Sequence, residues 1–280
     1  MAATDDDGVV SFVSLFHDFA WGGVRPGAPG QTAKFSAIWL KFLYTIRSGA
    51  QVMPNPDLRP ENGWSAEIGI KQGVKISNWM AYFDLSGYIM RYHDMIEFQV
   101  VDAPDSINGQ EFIAYGIPFK AINITNAQVA GVEFSTMANG KIFGVPLTFI
   151  IGYAYLDPRN LSYDPNDPNS TKILKYRIQH SFKADVQTTY KGAILGFNMF
   201  FNSFMKEIDN VGVGALGVVR KFRETHNKGD FVMDIRAGYN YKDKFTFMFI
   251  CKNIFNREYT LRPALIEAPR NYTFQVGYNF

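Results

Sequence analysis

Three groupings in this sequence contain residue types that could do chemistry. His93, Asp94 and Glu97 set an imidazole beside two carboxylates, the donor types of a zinc site. On a strand, however, His93 and Asp94 point to opposite faces and Glu97 lies too far along to share one ion, so no metal is expected. GVGALG (212–217) fits the Gly-x-Gly-x-x-Gly pattern of dinucleotide-binding turns. That chemistry needs a strand before the glycines, a helix after them and an acidic residue about 20 positions on. The stretch sits in a long connection with no helical pattern following, so it reads as a glycine loop and no cofactor is expected. Ser and His show no hydrolase-like clustering, and His17, His180 and His226 stand alone, so no catalytic residue is assigned and no enzyme is expected. What remains is recognition chemistry. The stretch YLDPRNLSYDPNDPNSTKILKY (155–176) offers Arg159, Tyr163 and Lys172, and Tyr115 and Arg220 stand in other connections. Cations among rings suit an anionic or aromatic ligand.

The elements that must position these residues show first in the composition. The chain has 280 residues, a formal charge of +2 and one cysteine, Cys251. A lone cysteine excludes an intrachain disulfide framework, and the near-neutral balance argues against nucleic acid as partner. Phe and Tyr number 25 and 15, an aromatic excess that favours strands. No apolar stretch approaches the about 18 residues of a membrane helix, the longest clean run being FTFMFIC (245–251). A membrane β-barrel stays open, because its strands hide apolar residues at every second position.

From residue 64 onward the period is two. Trp64, Ala66, Ile68 and Ile70 oppose Ser65, Glu67, Gly69 and Lys71. Phe182, Ala184, Val186 and Tyr190 oppose Lys183, Asp185 and Gln187. Tyr272, Phe274, Val276, Tyr278 and Phe280 oppose Asn271, Thr273, Gln275, Gly277 and Asn279. Nine such segments follow one another, and KFSAIWLKFLY (34–44) reads as a weaker tenth. Their connections alternate short and long through eight joints, as periplasmic turns and extracellular loops do in outer-membrane barrels. A sandwich has no reason to sort its loops by parity. Charge in these segments (Glu67, Lys71, Asp84, Glu133, Lys183, Asp185, Asp234, Arg236) falls on the face opposite the apolar one. Outward Phe, Leu and Ile with inward charge implies lipid outside and a wide polar interior. The expected fold is all-β: an antiparallel transmembrane β-barrel, about nine to ten strands of a larger one.

Three stretches resemble the C-terminal barrel of TonB-dependent outer-membrane receptors. NPDLRPENGWSAEIGIK (55–71) matches the family's Asn-Pro-x-Leu-x-Pro-Glu lead into a strand, through Asn55, Pro56, Leu58, Pro60 and Glu61. GYIMRYHDMIEF (87–98) is similar to a strand climbing into an external loop. KNIFNREYTLRPALIEAPRNYTFQVGYNF (252–280) is similar to the closing hairpin, with Tyr278 and Phe280 as the terminal aromatics read by the barrel-assembly machinery. The resemblance implies a 22-strand barrel around a plug, with a TonB box contacting TonB, and import of iron chelates, haem, cobalamin or glycans. No Phe-Arg-Ala-Pro stretch and no His stands between Gly22 and Met53, so haem is not supported.

The chain is short for such a receptor and shows no plug or TonB-box pattern. It is expected to be a partial receptor, with 1–33 an irregular, foreign or disordered segment and 34–280 the barrel part. Energised transport by the chain alone is not expected. The expected partners are outer-membrane lipid, the assembly machinery, an iron chelate or other nutrient, and TonB only through a missing N-terminal region. The alternative is a passive outer-membrane pore or adhesin of about ten strands.

Overall fold

The computed structural model describes residues 9–10, 17–19, 45–47, 49–101, 106–107, 110–111, 116–167, 170–209, 215–263 and 265–279. Among the described residues nine long strands carry the molecule: β5 (Asn62–Ile76), β6 (Trp79–Val100), β9 (Gly116–Ile142), β10 (Val145–Asn160), β11 (His180–Tyr190), β12 (Ala193–Asn202), β13 (Asp230–Tyr241), β14 (Phe245–Lys252) and β15 (Asn271–Tyr278). Short strands accompany them: β1 (Val9–Val10), β2 (His17–Phe19), β3 (Thr45–Arg47), β4 (Gly49–Met53), β7 (Ser106–Ile107) and β8 (Gln110–Glu111). The nine long strands pair antiparallel in chain order within one sheet, with β1 and β2 against β5 and with β4 parallel to the start of β9. All nine alternating segments are therefore strands. The expected tenth, 34–44, lies outside the described residues.

The turns have the geometry that tight hairpins need. Phe143 and Gly144 (φ 50° and 80°) join β9 to β10, and Lys191 and Gly192 (φ 49° and 84°) join β11 to β12. Positive φ at both central residues gives the turn a twist matching its flanking strands. Ser77 and Asn78 join β5 to β6, and 242–244 join β13 to β14, so every short connection lies at one end of the sheet. The long connections (101–115, 161–179, 203–229 and 253–270) all lie at the other.

Register carries the alternation from strand to strand, because residues paired across a ladder share a face. Ile70 faces Leu85, Leu85 faces Phe134, Phe134 faces Tyr153 and Tyr153 faces Phe182. The row continues with Phe182 to Phe201 and Phe201 to Phe231. Lower down, Ala237 meets Phe249 and Phe249 meets Phe274. This apolar face is uncovered: Ile68 is 66%, Phe274 67% and Ile235 41% exposed. Side chains meeting a protein interior would be buried, so another medium covers them. On the opposite face Lys71 pairs with Asp84 at 2.9 Å, and Arg236 pairs with Asp185 at 2.7 Å.

Two sequence expectations need correction. The stretch after GVGALG is helical: α1 spans Ala215–Thr225. It is only three turns long, and its buried side is held by Val219 with Phe222 one turn on, too brief a pattern to stand out beside the glycines. Past the alternating segments β6 and β9 also run on as paired strands, which the period-two pattern of the sequence does not show, and only 101–115 remain between them. The cause is a break in alternation at Asp94, whose backbone is left-handed (φ 54°). Below it Tyr92, and above it Met95, pack against the same cluster with Ala127 and Leu174, so the face served by odd-numbered residues switches there.

Candidate functional site

The site is the mouth of the sheet, where the long connections fold back onto the polar face. The connection 161–179 is seated by Leu174, 1% exposed, against Ala127 and Met95, and its backbone N–H donates to the carbonyl of Pro158. The next three residues carry charge into this seat. Lys175 Nζ lies 2.8 Å from Asp209 Oδ1, Tyr176 Oη donates to Asp209 Oδ2 at 2.8 Å, and Arg177 Nη2 meets Glu97 Oε1 at 2.9 Å. Asp209 also accepts from the Val100 backbone at 2.8 Å. One carboxylate, its side chain 3% exposed, thus ties together β6, the 161–179 connection and the 203–229 connection. Burial, with the bond to Asp209 second, pushes the Tyr176 phenol well above its ordinary range, so it stays a donor.

The second half of the mouth is built around α1. Arg223 Nη2 donates to the carbonyl of Met205 at 2.6 Å and its guanidinium lies 4.4 Å from the centre of the Phe204 ring. Burial lowers its pKa from the usual arginine value. His226 stacks on Phe222 at 3.9 Å and comes within 3.9 Å of Glu258, so it does not stand alone in space. A cleft runs between these elements, lined by Phe204, Arg223, His226, Asp230, Thr260 and Arg262. His180 is also engaged, through the Tyr153 hydroxyl at 2.9 Å.

The Asn-Pro-x-Leu-x-Pro-Glu stretch forms a staple. Asn55 Nδ2 donates to the Ala121 carbonyl at 2.7 Å, while its own side-chain oxygen caps Asp57 at 3.3 Å. Leu58 is fully buried. The Arg59 backbone and the Asn123 side chain exchange two bonds of 2.7 and 2.9 Å. Glu61 Oε2 accepts from Ile96 N–H at 2.7 Å. The segment therefore crosses from β4, paired with β9, over the rim to β5, paired with β6. Desolvation raises the Glu61 pKa and the Ile96 N–H partly offsets it.

The recognition residues are placed unequally. Tyr163 and Lys172 meet on one connection, with the ammonium 5.5 Å from the ring centre, and both are exposed. Arg220 is exposed on α1. Arg159 stands on the apolar face, paired in register with Gln128, and its Nε lies 2.8 Å from Asp157. Tyr115 and Phe280 lie outside the described residues, and Tyr278 packs on Phe245 at 4.8 Å at the short-turn end. Asp94, grouped with His93 and Glu97 in the sequence, is held by Arg59 at 2.7 Å, and Glu97 by Arg177. Sequence reasoning missed Asp209, Tyr176 and the Glu97–Arg177 pair. Only the run Lys175-Tyr176-Arg177 signalled them, since Val100 and Asp209 meet from 109 residues apart.

A sheet of long antiparallel strands with an uncovered apolar face, a face of paired charge and connections sorted by length is the wall of a transmembrane β-barrel of the Gram-negative outer membrane. The chain belongs to the family of TonB dependent receptor-like β-barrels, whose model matches residues 11–254. It is 24% identical over 251 residues to the vitamin B12 transporter BtuB of Vibrio vulnificus (strain YJ016), covering 88% of this chain and 33% of that protein. Among solved structures, the ferric-catecholate import receptor Fiu of Escherichia coli K12 superposes with a TM-score of 0.56 at 18% identity, over 84% of this chain and 30% of that one. The copper transporter OprC gives a TM-score of 0.55 at 16% identity, over 80% and 32%. The chain thus spans about a third of the length of these relatives.

Proposed function

We propose that the chain forms wall, lumen and external binding loops of an outer-membrane importer for a nutrient carried as an anionic metal chelate. The observation that supports this best is the folding of connections 161–179 and 203–229 onto the polar face, where a shared carboxylate, Asp209, holds them at the mouth. That arrangement leaves Lys172, Tyr163 and Arg220 exposed above a braced floor. Ammonium and guanidinium groups supply charge to an anionic complex, and a ring supplies a stacking surface for aromatic chelators. A vitamin B12 transporter, a ferric-catecholate import receptor and a copper transporter are all named for nutrient uptake, two of them for a metal. In this role the apolar face meets outer-membrane lipid, Tyr278 and Phe280 present the chain to the assembly machinery, and TonB acts on the receptor as a whole.

The test is titration of the folded chain in detergent with a ferric catecholate chelate, followed by quenching of tryptophan fluorescence. Saturable binding weakened about tenfold by combining Lys172→Ala with Arg220→Ala is expected. Absence of saturation, or indifference to both substitutions, would overturn the proposal.

A further inference from the structure

Along the apolar face, in the nine long strands below Asp94, every charged residue stands at the long-loop end: Arg91, Asp157 and Arg159. Their register makes them neighbours. Trp64 pairs with Arg91, Arg91 with Gln128, and Gln128 with Arg159, forming one row across β5, β6, β9 and β10. Neighbours on both sides confirm which way the row faces. Tyr92, Ala127 and Val129 pack with Leu174 on the polar face, so Arg91 and Gln128, next to them in sequence, point the other way. Pro158 is fully buried beneath the 161–179 connection, so Arg159 also points outward.

Height decides what the row meets. Arg91 stands about a dozen residues from the turn before Trp79, and at about 3.4 Å per residue with a tilt of about 40° that is roughly 30 Å of rise. The hydrocarbon band of an outer-membrane barrel is about 25 Å tall, so the row sits just above it, at headgroup level. Trp64, 37% exposed, stands in the row itself and supplies an interfacial aromatic at that boundary. Arg91 is exposed, and among the described residues it has no acidic partner. Asp157 engages Arg159 through Nε at 2.8 Å and so orients the guanidinium while leaving both terminal nitrogens open; the Arg159 side chain remains 60% exposed. With ladder neighbours about 5 Å apart, two guanidiniums flank the Gln128 amide with their backbones about 10 Å from each other, and all three side chains can donate to one tetrahedral anion.

We propose that Arg91, Gln128 and Arg159 form an outward-facing site for a phosphate of the glycolipid that makes up the outer leaflet of the outer membrane. Charge complementarity selects this occupant: the cationic donors of the apolar face are confined to the one height at which that leaflet carries phosphate, on a face otherwise without charge. Asp157 contributes orientation and keeps the patch from becoming a general anion trap. The site rests on register and facing, not on the nutrient role proposed above, so Arg159 serves the lipid here rather than the imported ligand.

The full chain, folded in detergent micelles, is titrated with fluorescently labelled lipid A carrying both phosphates and, separately, with the same lipid after enzymatic dephosphorylation. Saturable binding of the phosphorylated lipid, at least about tenfold tighter than the dephosphorylated one, is expected. This comparison uses the unaltered protein and so does not depend on any variant folding. Combining Arg91→Gln with Arg159→Gln should erase the difference, while Lys71→Gln on the polar face should leave it intact. Equal affinity for the two lipids, or a double variant that keeps the preference, would overturn the assignment. Displacement of lipid A by millimolar inorganic phosphate would also overturn it, by showing a free-anion site instead.

Discussion

Arg236 on β13 reaches across β12 to form a two-point ion pair with Asp185 on β11, at 2.8 and 2.7 Å, and its Nε donates to Gln187 at 2.9 Å. It lies flat over Gly196, where an added Cβ would stand 2.7 Å from Nε. A glycine in the intervening strand is thus what lets charges two strands apart meet on the lumenal wall. Planar two-point pairing is a geometry that arginine supports and lysine does not.

The first prediction follows from that contact. Gly196→Val should lift Arg236 off the wall and break the pair with Asp185. The pair is partly exposed, so the loss should be modest, about 1–2 kcal/mol. It should appear as a lower temperature for the shift in heat-modifiable gel mobility. Arg236→Lys should lose nearly as much, and an unchanged transition in both variants would show that the pair contributes nothing.

The hub at the mouth should behave differently. Asp209→Asn leaves Lys175 facing no charge at a site where both groups are largely buried, at a cost of about 3 kcal/mol. Because the loss falls on the connections rather than the strands, trypsin should cut after Lys172 and Lys175 markedly faster while gel mobility stays that of a folded barrel. Equal cleavage rates in the two proteins would remove Asp209 from this role.

Glu61 makes the strand lead-in dependent on pH. Its folded pKa lies above the ordinary glutamate value because burial disfavours the charged form. A raised carboxylate pKa means that the folded state holds the proton more tightly than the unfolded one. Stability from this group is therefore fully present below the ordinary value and is lost as pH rises through the folded one. Glu61→Gln keeps an acceptor for Ile96 N–H and removes the titration. Its thermal transition between pH 4 and 8 should be flatter than that of the parent chain, and parallel profiles would refute the assignment.

Lipid contact can be read from paired substitutions on neighbouring strands. Phe249→Arg puts a cation on the apolar face at mid-depth, where it costs about 2–4 kcal/mol. Thr273→Lys on β15 places one on the polar face and should cost little. Folding yield into lipid vesicles separates the two, and equal yields would contradict the assignment of faces.

The strands and their facing are legible in the residue pattern alone. Alternation of Ile68, Ile70, Phe83 and Leu85 against Glu67, Lys71 and Asp84 reports a two-sided environment directly, because neighbouring side chains on a strand point opposite ways. The lengths of the connections set which end faces out. The Asn55–Glu61 motif was visible as a pattern, but its bonds to Ala121, Asn123 and Ile96 were not.

The rest depends on how the strands and connections come together in space. The left-handed backbone at Asp94 reverses facing above the membrane and brings Met95 and Glu97 inward, and no local signal marks it. Helix α1 is too short for its periodicity to outweigh the glycines before it. Asp209 joins Val100, Lys175 and Tyr176 because the connections fold inward, and Arg91 and Arg159 flank Gln128 because two ladders place one on each side of it. Periodicity is a property of one strand, whereas a site of this kind is a property of register between strands, which pairing alone specifies.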